Sequence, residues 1–190
     1  MLVLASTSPY RRSLLARLGL PFEVERPDVD ETRQAGEAAP ALAERLAEAK
    51  ARNVCARRPN DWIIGSDQVA ELDGMIFWKP GGFAAAVEQL SASSGRVVNF
   101  HTAVCLRQEA SFRCLRMTDL TRVHFRSLGG AEIERYLHAE KPWDCAGSFK
   151  SEGLGIALFH AIESRDPTAL VGLPMIALAQ ALREAGCNLP

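Results

Sequence analysis

The chain has 190 residues, 47% hydrophobic and 24% charged, a composition that suits a globular protein with a sizeable core and excludes a disordered or fibrous one. Its formal net charge of -1 gives it no bulk electrostatic reason to coat nucleic acid or an anionic membrane, and no apolar run approaches membrane-spanning length. Cys55, Cys105, Cys114, Cys145 and Cys187 show no metal-ligand spacing, so they read as reduced thiols of a cytoplasmic protein with no evident signal peptide.

Leu2–Ala5 is a short apolar run that suits a buried strand. Ser6, Thr7 and Ser8 follow, and Pro9 fits the first turn of a helix that carries Leu14, Leu15 and Leu18 and closes at Gly19. A strand, a tight polar loop and a helix N-terminus make a site for an anion, because free N–H groups and the helix dipole both favour negative charge. Arg11 and Arg12 sit in that first turn, where the dipole disfavours cations. They read either as bidentate phosphate donors or as a solvated basic face.

Phe22–Glu25 alternates as a strand does. Asp28, Asp30 and Glu31 then crowd one loop, which asks for a counter-charge or a divalent cation unless the loop is simply solvated. Pro40 to Arg57 is a helix with Leu42, Leu46, Ala49 and Val54 on one face; Lys50 on it would ordinarily be solvated. Trp62–Ile64 is a buried strand expected to stop at Gly65, which places Ser66, Asp67 and Gln68 at its carboxyl end, where ligands of open α/β sheets bind. Asp67 there can hold a metal or take a proton from water.

Asp73-Gly74 marks a hairpin, and Lys79 lies in a loop rich in proline and glycine. Phe83–Ser93 reads as a helix, Gly95–Leu106 and Phe112–Phe125 as a long antiparallel pair, and Gly129-Gly130 as the opening of a helix through Ile133 and Leu137. Lys141 to Gly155 is a glycine-rich polar loop of the kind that lets backbone approach a ligand. A catalytic thiol at Cys145, beside that loop, is a minor reading. Ser164–Pro167 is a turn and Leu170–Ala185 a terminal helix. No repeat or linker divides the chain, so residues 1–190 read as one domain, with two lobes around a cleft as a variant of that reading.

Six stretches together resemble the motifs of the Maf family of nucleoside triphosphate pyrophosphatases, in family order: Leu4–Arg12, Asp28–Glu31, Ile64–Asp67, Lys79-Pro80, Ala146–Gly153 and Asp166–Pro174. The resemblance implies an α/β fold, a twisted mixed sheet flanked by helices with a nucleotide cleft, related to the inosine triphosphate pyrophosphatase fold. It implies hydrolysis of a nucleoside triphosphate to the monophosphate and pyrophosphate with a divalent cation, magnesium or manganese. Carried over residue by residue, it makes Asp67 the proton acceptor. It makes Ser6, Ser8, Arg11, Arg12, Lys50 and Lys79 phosphate ligands, and Glu31 with Asp67 the metal contacts.

Tyr10, Gln68 and Glu152 match the family positions that set base preference, and together they resemble the subgroup acting on 7-methyl-GTP. Its N7-methylated ring is cationic, which an aromatic face and a carboxylate both favour. Tyr10 stands where that subgroup tends to have tryptophan, Trp78 where the family often has glycine, and Gly81-Gly82 reads as a flexible entry to the next helix. A Maf-type enzyme for UTP, dTTP or another modified nucleotide is the alternative, and a nucleotide-binding regulator of septum formation is the alternative from another class. A homodimer is an expectation from the family alone.

Overall fold

The computed structural model describes residues 1–190. Its elements in chain order are β1 (Leu2–Ala5), α1 (Pro9–Ala16), β2 (Phe22–Glu25), α2 (Ala39–Cys55), β3 (Trp62–Leu72), β4 (Met75–Phe77) and α3 (Phe83–Ser93). β5 (Val97–Gln108), β6 (Arg113–Phe125), α4 (Gly130–Glu140), a 3-10 turn (Leu154–Leu158), β7 (Phe159–Glu163) and α5 (Met175–Glu184) complete them. The strands form one seven-stranded mixed sheet in the order β2-β1-β3-β5-β6-β7, with β4 paired to β3 beside this path. β1 runs parallel to β2 and β3, and the remaining pairs are antiparallel.

The buried face of each strand follows the pleat. Val3, Ala5 and Ile63 pack under α2 with Leu42, Leu46 and Val54. Leu2, Leu4 and Ile64 point the other way, onto Leu14 and Leu15 of α1 and Leu178 and Leu182 of α5. A third cluster around Phe100, Phe125 and Phe149 binds α3 and α4 to the far end of the sheet. Leu158 and Leu170 belong to this third cluster, so the chain after Pro142 is fastened by the same apolar surface as the helices.

Two expectations change. β3 does not stop at Gly65; it runs on to Leu72, and Asp67 sits inside it, opposite Ala103 of β5. Gly65 is there to admit α2, not to end a strand: a Cβ on it would lie 2.2 Å from the Ala47 carbonyl oxygen and 2.6 Å from the Ala51 nitrogen. Gly65→Ala is therefore expected to destabilise the protein by about 3 kcal/mol in urea unfolding, the upper end of ordinary overpacking, because the clash is with backbone. A loss under about 0.5 kcal/mol, the scale of a surface change, would show that α2 can recede freely. The terminal helix begins at Met175, not Leu170; residues 166–174 form a loop held on the Asp166 carboxylate, which accepts from the Thr168 N–H at 2.9 Å and from the Ile176 N–H at 2.6 Å.

Candidate active site

The cleft arises from a difference in strand length. β1 ends at Ala5, paired with Gly65, whereas β3 continues and meets β4 only at Ala70. The edge of β3 from Ser66 to Val69 is thus left without a neighbour on that side, and a cleft of about 720 Å³ opens there. That size fits a small-molecule ligand. Its rim is formed by the β1–α1 loop, the loop of residues 26–31, the segment after β4 and the loop of residues 144–152.

On the α2 face of β3, Asp67 meets Lys50. The Lys50 Nζ donates to Asp67 Oδ1 at 2.7 Å and lies 2.6 Å from Glu31 Oε1. Lys50 is 6% exposed, so it is not the solvated lysine its type suggests. It continues the buried face of α2 through Leu46, Ala47 and Val54, and Ala49, expected on that face, is only half-buried beside it. A buried ammonium needs compensation, and two carboxylates give it. Glu31 feels burial, which raises its pKa, against the Lys50 hydrogen bond and the charges of Lys50, Lys79 and Arg11, which lower it; the balance lies below the ordinary carboxylate value.

Beside this pair stands the N-terminus of α1. Ser8 caps it, accepting from the Arg11 N–H at 3.4 Å, and Ser6 Oγ accepts from the Ser8 N–H at 3.1 Å. The Thr7 N–H, at the lip of the cleft, has no protein partner. Arg11 donates its Nε to the Gly172 carbonyl at 2.9 Å, which fixes the guanidinium and leaves its terminal nitrogens free for an anion. Burial lowers its pKa, while Asp67 and Glu31 pull it back up. Lys79 is exposed and lines the cleft. Arg12 is not brought in: one step along a helix turns a side chain by about 100°, and Arg12 is exposed and borders a separate shallow groove with Leu20 and Phe22.

Tyr10, Gln68 and Glu152 all line the same cleft. The Tyr10 hydroxyl donates to Asp144 Oδ1 at 3.5 Å, and Glu152 Oε2 accepts from Ser151 at 3.2 Å. Burial, reinforced by Cys145 and Asp144, raises the Tyr10 phenol, so it stays a neutral donor. Burial also pushes the Cys145 thiol up to about 12, which disfavours the thiolate that a nucleophile needs.

The departures from the family pattern settle into place. The Trp78 carbonyl accepts from Gln89 Nε2 at 2.7 Å, and its side chain is half exposed at the cleft rim. Gly81 adopts φ +68°, and its N–H donates to the Trp143 carbonyl at 3.0 Å, so the entry to α3 is anchored where flexibility was expected. The glycine-rich loop is pinned in a similar way: Ser148 donates to Gln89 at 2.6 Å, the Lys150 N–H to the Tyr136 hydroxyl at 3.1 Å and the Leu154 N–H to Glu140 at 2.8 Å. Asp144 and residues 170–172 also line the cleft, and nothing in the sequence marks the first; the Asp166–Pro174 motif hints at the second.

Whether these residues suit a divalent cation can be judged from Lys50, whose ammonium already occupies a cation position between two carboxylates. Glu31 and Asp67 are hard oxygen ligands, and magnesium commonly takes one or two carboxylates and completes its shell with water and substrate phosphates. The pair fits a metal that arrives with a nucleotide rather than one caged by protein alone.

The family model described as Maf-like protein matches residues 1–185. A protein of Xanthomonas oryzae pv. oryzae (strain MAFF 311018) named 7-methyl-GTP pyrophosphatase is 62% identical over 189 residues, covering 100% of this chain and 98% of that one. One of the same name from Albidiferax ferrireducens is 56% identical, covering 97% and 93%. Among solved structures, that of the Staphylococcus aureus Ham1 protein superposes with a TM-score of 0.55 at 15% identity, over 98% of this chain and 99% of that one, a likeness of fold. With motifs, fold and full-length relatives in agreement, the chain belongs to the Maf family.

Proposed function

We propose that the protein hydrolyses 7-methyl-GTP to 7-methyl-GMP and pyrophosphate, the activity named for its relatives. The observation that carries this reading is the meeting of Asp67, a carboxylate able to take a proton, with Arg11, Lys50 and Lys79 and the N-terminus of α1 in one cleft. A triphosphate brings up to about four negative charges, which these donors and the helix dipole are suited to receive.

Asp67 accepts a proton from the attacking water, and Lys50, also hydrogen-bonded to it, orients the carboxylate. Arg11, held by Gly172, and Lys79 stabilise the charge that develops on the departing pyrophosphate. Ser6 and Ser8 shape the loop that presents backbone N–H groups. Glu31 and Asp67 would hold magnesium or manganese, which when bound supplies charge neutralisation on the phosphates and acidifies water. Lys50, between Glu31 and Asp67, is also placed to donate to a phosphate oxygen of the nucleotide.

For the base, Tyr10 offers an aromatic face and Glu152 a carboxylate, with Asp144 adding a second negative group beside Tyr10. The combination favours a cationic ring over a neutral one. Pyrophosphate release from 7-methyl-GTP, GTP, UTP, CTP, dTTP and ITP tests this. The expected result is turnover led by 7-methyl-GTP by at least ~10-fold in kcat/KM, the value of one cation–π contact of about 1–2 kcal/mol, and lost in EDTA. A lead by UTP or dTTP would retain the chemistry and reject the base assignment; binding without turnover would favour the regulator of septum formation.

A further inference from the structure

Gln68 and Thr102 face each other across the β3–β5 pair, on the side of the sheet away from Lys50. The Gln68 Nε2 donates to Thr102 Oγ1 at 3.0 Å, to the Ala169 carbonyl at 2.9 Å and to the Leu170 carbonyl at 3.0 Å. Thr102 Oγ1 in turn donates to the Ala169 carbonyl at 3.0 Å. A carbonyl oxygen cannot donate, so the single Thr102 proton goes to Ala169 and its lone pair receives Gln68. Both Gln68 amide hydrogens are thereby occupied. The reversed amide would set Oε1 against two carbonyl oxygens. Oε1 is left without a protein partner yet is not buried, on a residue that lines the cleft.

We propose that Thr102 is a positioning residue for base selection: its hydroxyl, bonded to both the Gln68 amide and the Ala169 carbonyl, holds that amide against the Ala169 and Leu170 carbonyls, so that the cleft meets a hydrogen-bond acceptor and never a donor. Thr102 is fully buried and does not line the cleft, so it acts through Gln68. The inference rests on the reading of this cleft as a nucleotide site. Gln68 Oε1 and the Glu152 carboxylate then form two acceptors, matched by the adjacent N1–H and N2–H donors of a guanine edge. A uracil edge offers one N–H between two carbonyl oxygens and matches only one acceptor. Selection by hydrogen-bond pattern is the kind that discriminates well, since a wrong edge leaves polar groups unpaired.

The test is kinetic, on the full-length protein, with Thr102→Val, Thr102→Ser, Gln68→Ala and the Thr102→Val/Gln68→Ala double variant. Thr102→Val keeps the shape and removes the hydroxyl. The expected result is a fall of about 10-fold in kcat/KM for 7-methyl-GTP, carried by KM, with UTP changed less than about 3-fold and Thr102→Ser within about 3-fold of the parent. In the Gln68→Ala background Thr102→Val should add nothing, because the group it positions is gone. An equal fall for every substrate, no fall, failure of serine to restore activity, or additivity in the double variant would each overturn the proposal. If Thr102→Val does not fold, Thr102→Ala enters the same cycle. A parent protein that prefers UTP would reject the 7-methyl-GTP reading, and the cycle run on the preferred substrate would still decide the positioning role.

Discussion

Asp67→Asn is expected to leave a folded protein whose turnover falls at least ~10²-fold, the low end of what a general base contributes, or about 2.7 kcal/mol on the barrier. The fold should survive because Lys50 keeps its second partner, Glu31, at 2.6 Å, and an amide occupies the same volume as the carboxylate. Single-turnover rates at saturating nucleotide isolate the chemical step from binding. Near-parental turnover with an unchanged melting temperature would remove Asp67 from the proton-acceptor role. A drop confined to KM would assign it to metal or phosphate binding alone.

Lys50→Met is expected to lose both activity and stability. The variant takes a buried cation from between Glu31 and Asp67 and leaves two carboxylates facing each other without their shared partner. Removing one member of a buried charge cluster costs about 3–5 kcal/mol, and the lower end applies because the Glu31 side chain is 56% exposed. The pH dependence has a definite sign. Glu31 has its folded-state pKa depressed, so its contribution is present above the unfolded value and is lost as pH falls through the folded one. The parent's advantage over Lys50→Met should therefore be full at neutral pH and shrink below about pH 4, where free carboxylates protonate. Urea unfolding of both proteins at neutral pH and at about pH 3 measures it. An advantage that stays constant across that range would show that Lys50 acts through packing of its methylene stem.

The parts of the site that the sequence exposes are those whose chemistry and local structure coincide. Leu2–Pro9 is strand, loop and helix start within a few residues, as the sequence reads, and that order suggests an anion site while leaving a solvated basic face open. Of the two grounds for singling out Asp67, the family motif stands and the strand-end argument does not: Gly65 does not end β3, and it is the neighbouring strand β1 that ends beside the cleft. A glycine inside a strand signals either a stop or a close approach, and only the packing of α2 decides between them. The burial of Lys50 was legible in principle, since it follows Leu46 and Ala47 at helical spacing, but residue type argued against it.

Arg11 and Arg12 are equivalent in a motif and not on a helix; one turns to Gly172 and the cleft, the other away. Thr102 carried no signal at all. Its role depends on a pairing across two strands and a contact with a loop 67 residues further along the chain. Contacts of that sequence separation leave no periodicity for local reading to find.

At Gly65 the backbone of β3 and the Ala47–Ala51 turn of α2 approach too closely to leave room for even a Cβ between them. Lys50 lies in that same turn and reaches Asp67 two residues beyond Gly65. The spacing that seats the helix is thus also the lever arm of the ion pair. On the proposed roles of Lys50 and Asp67, repacking this helix is expected to move thermal robustness and rate together, so that a library built for one property reports on the other.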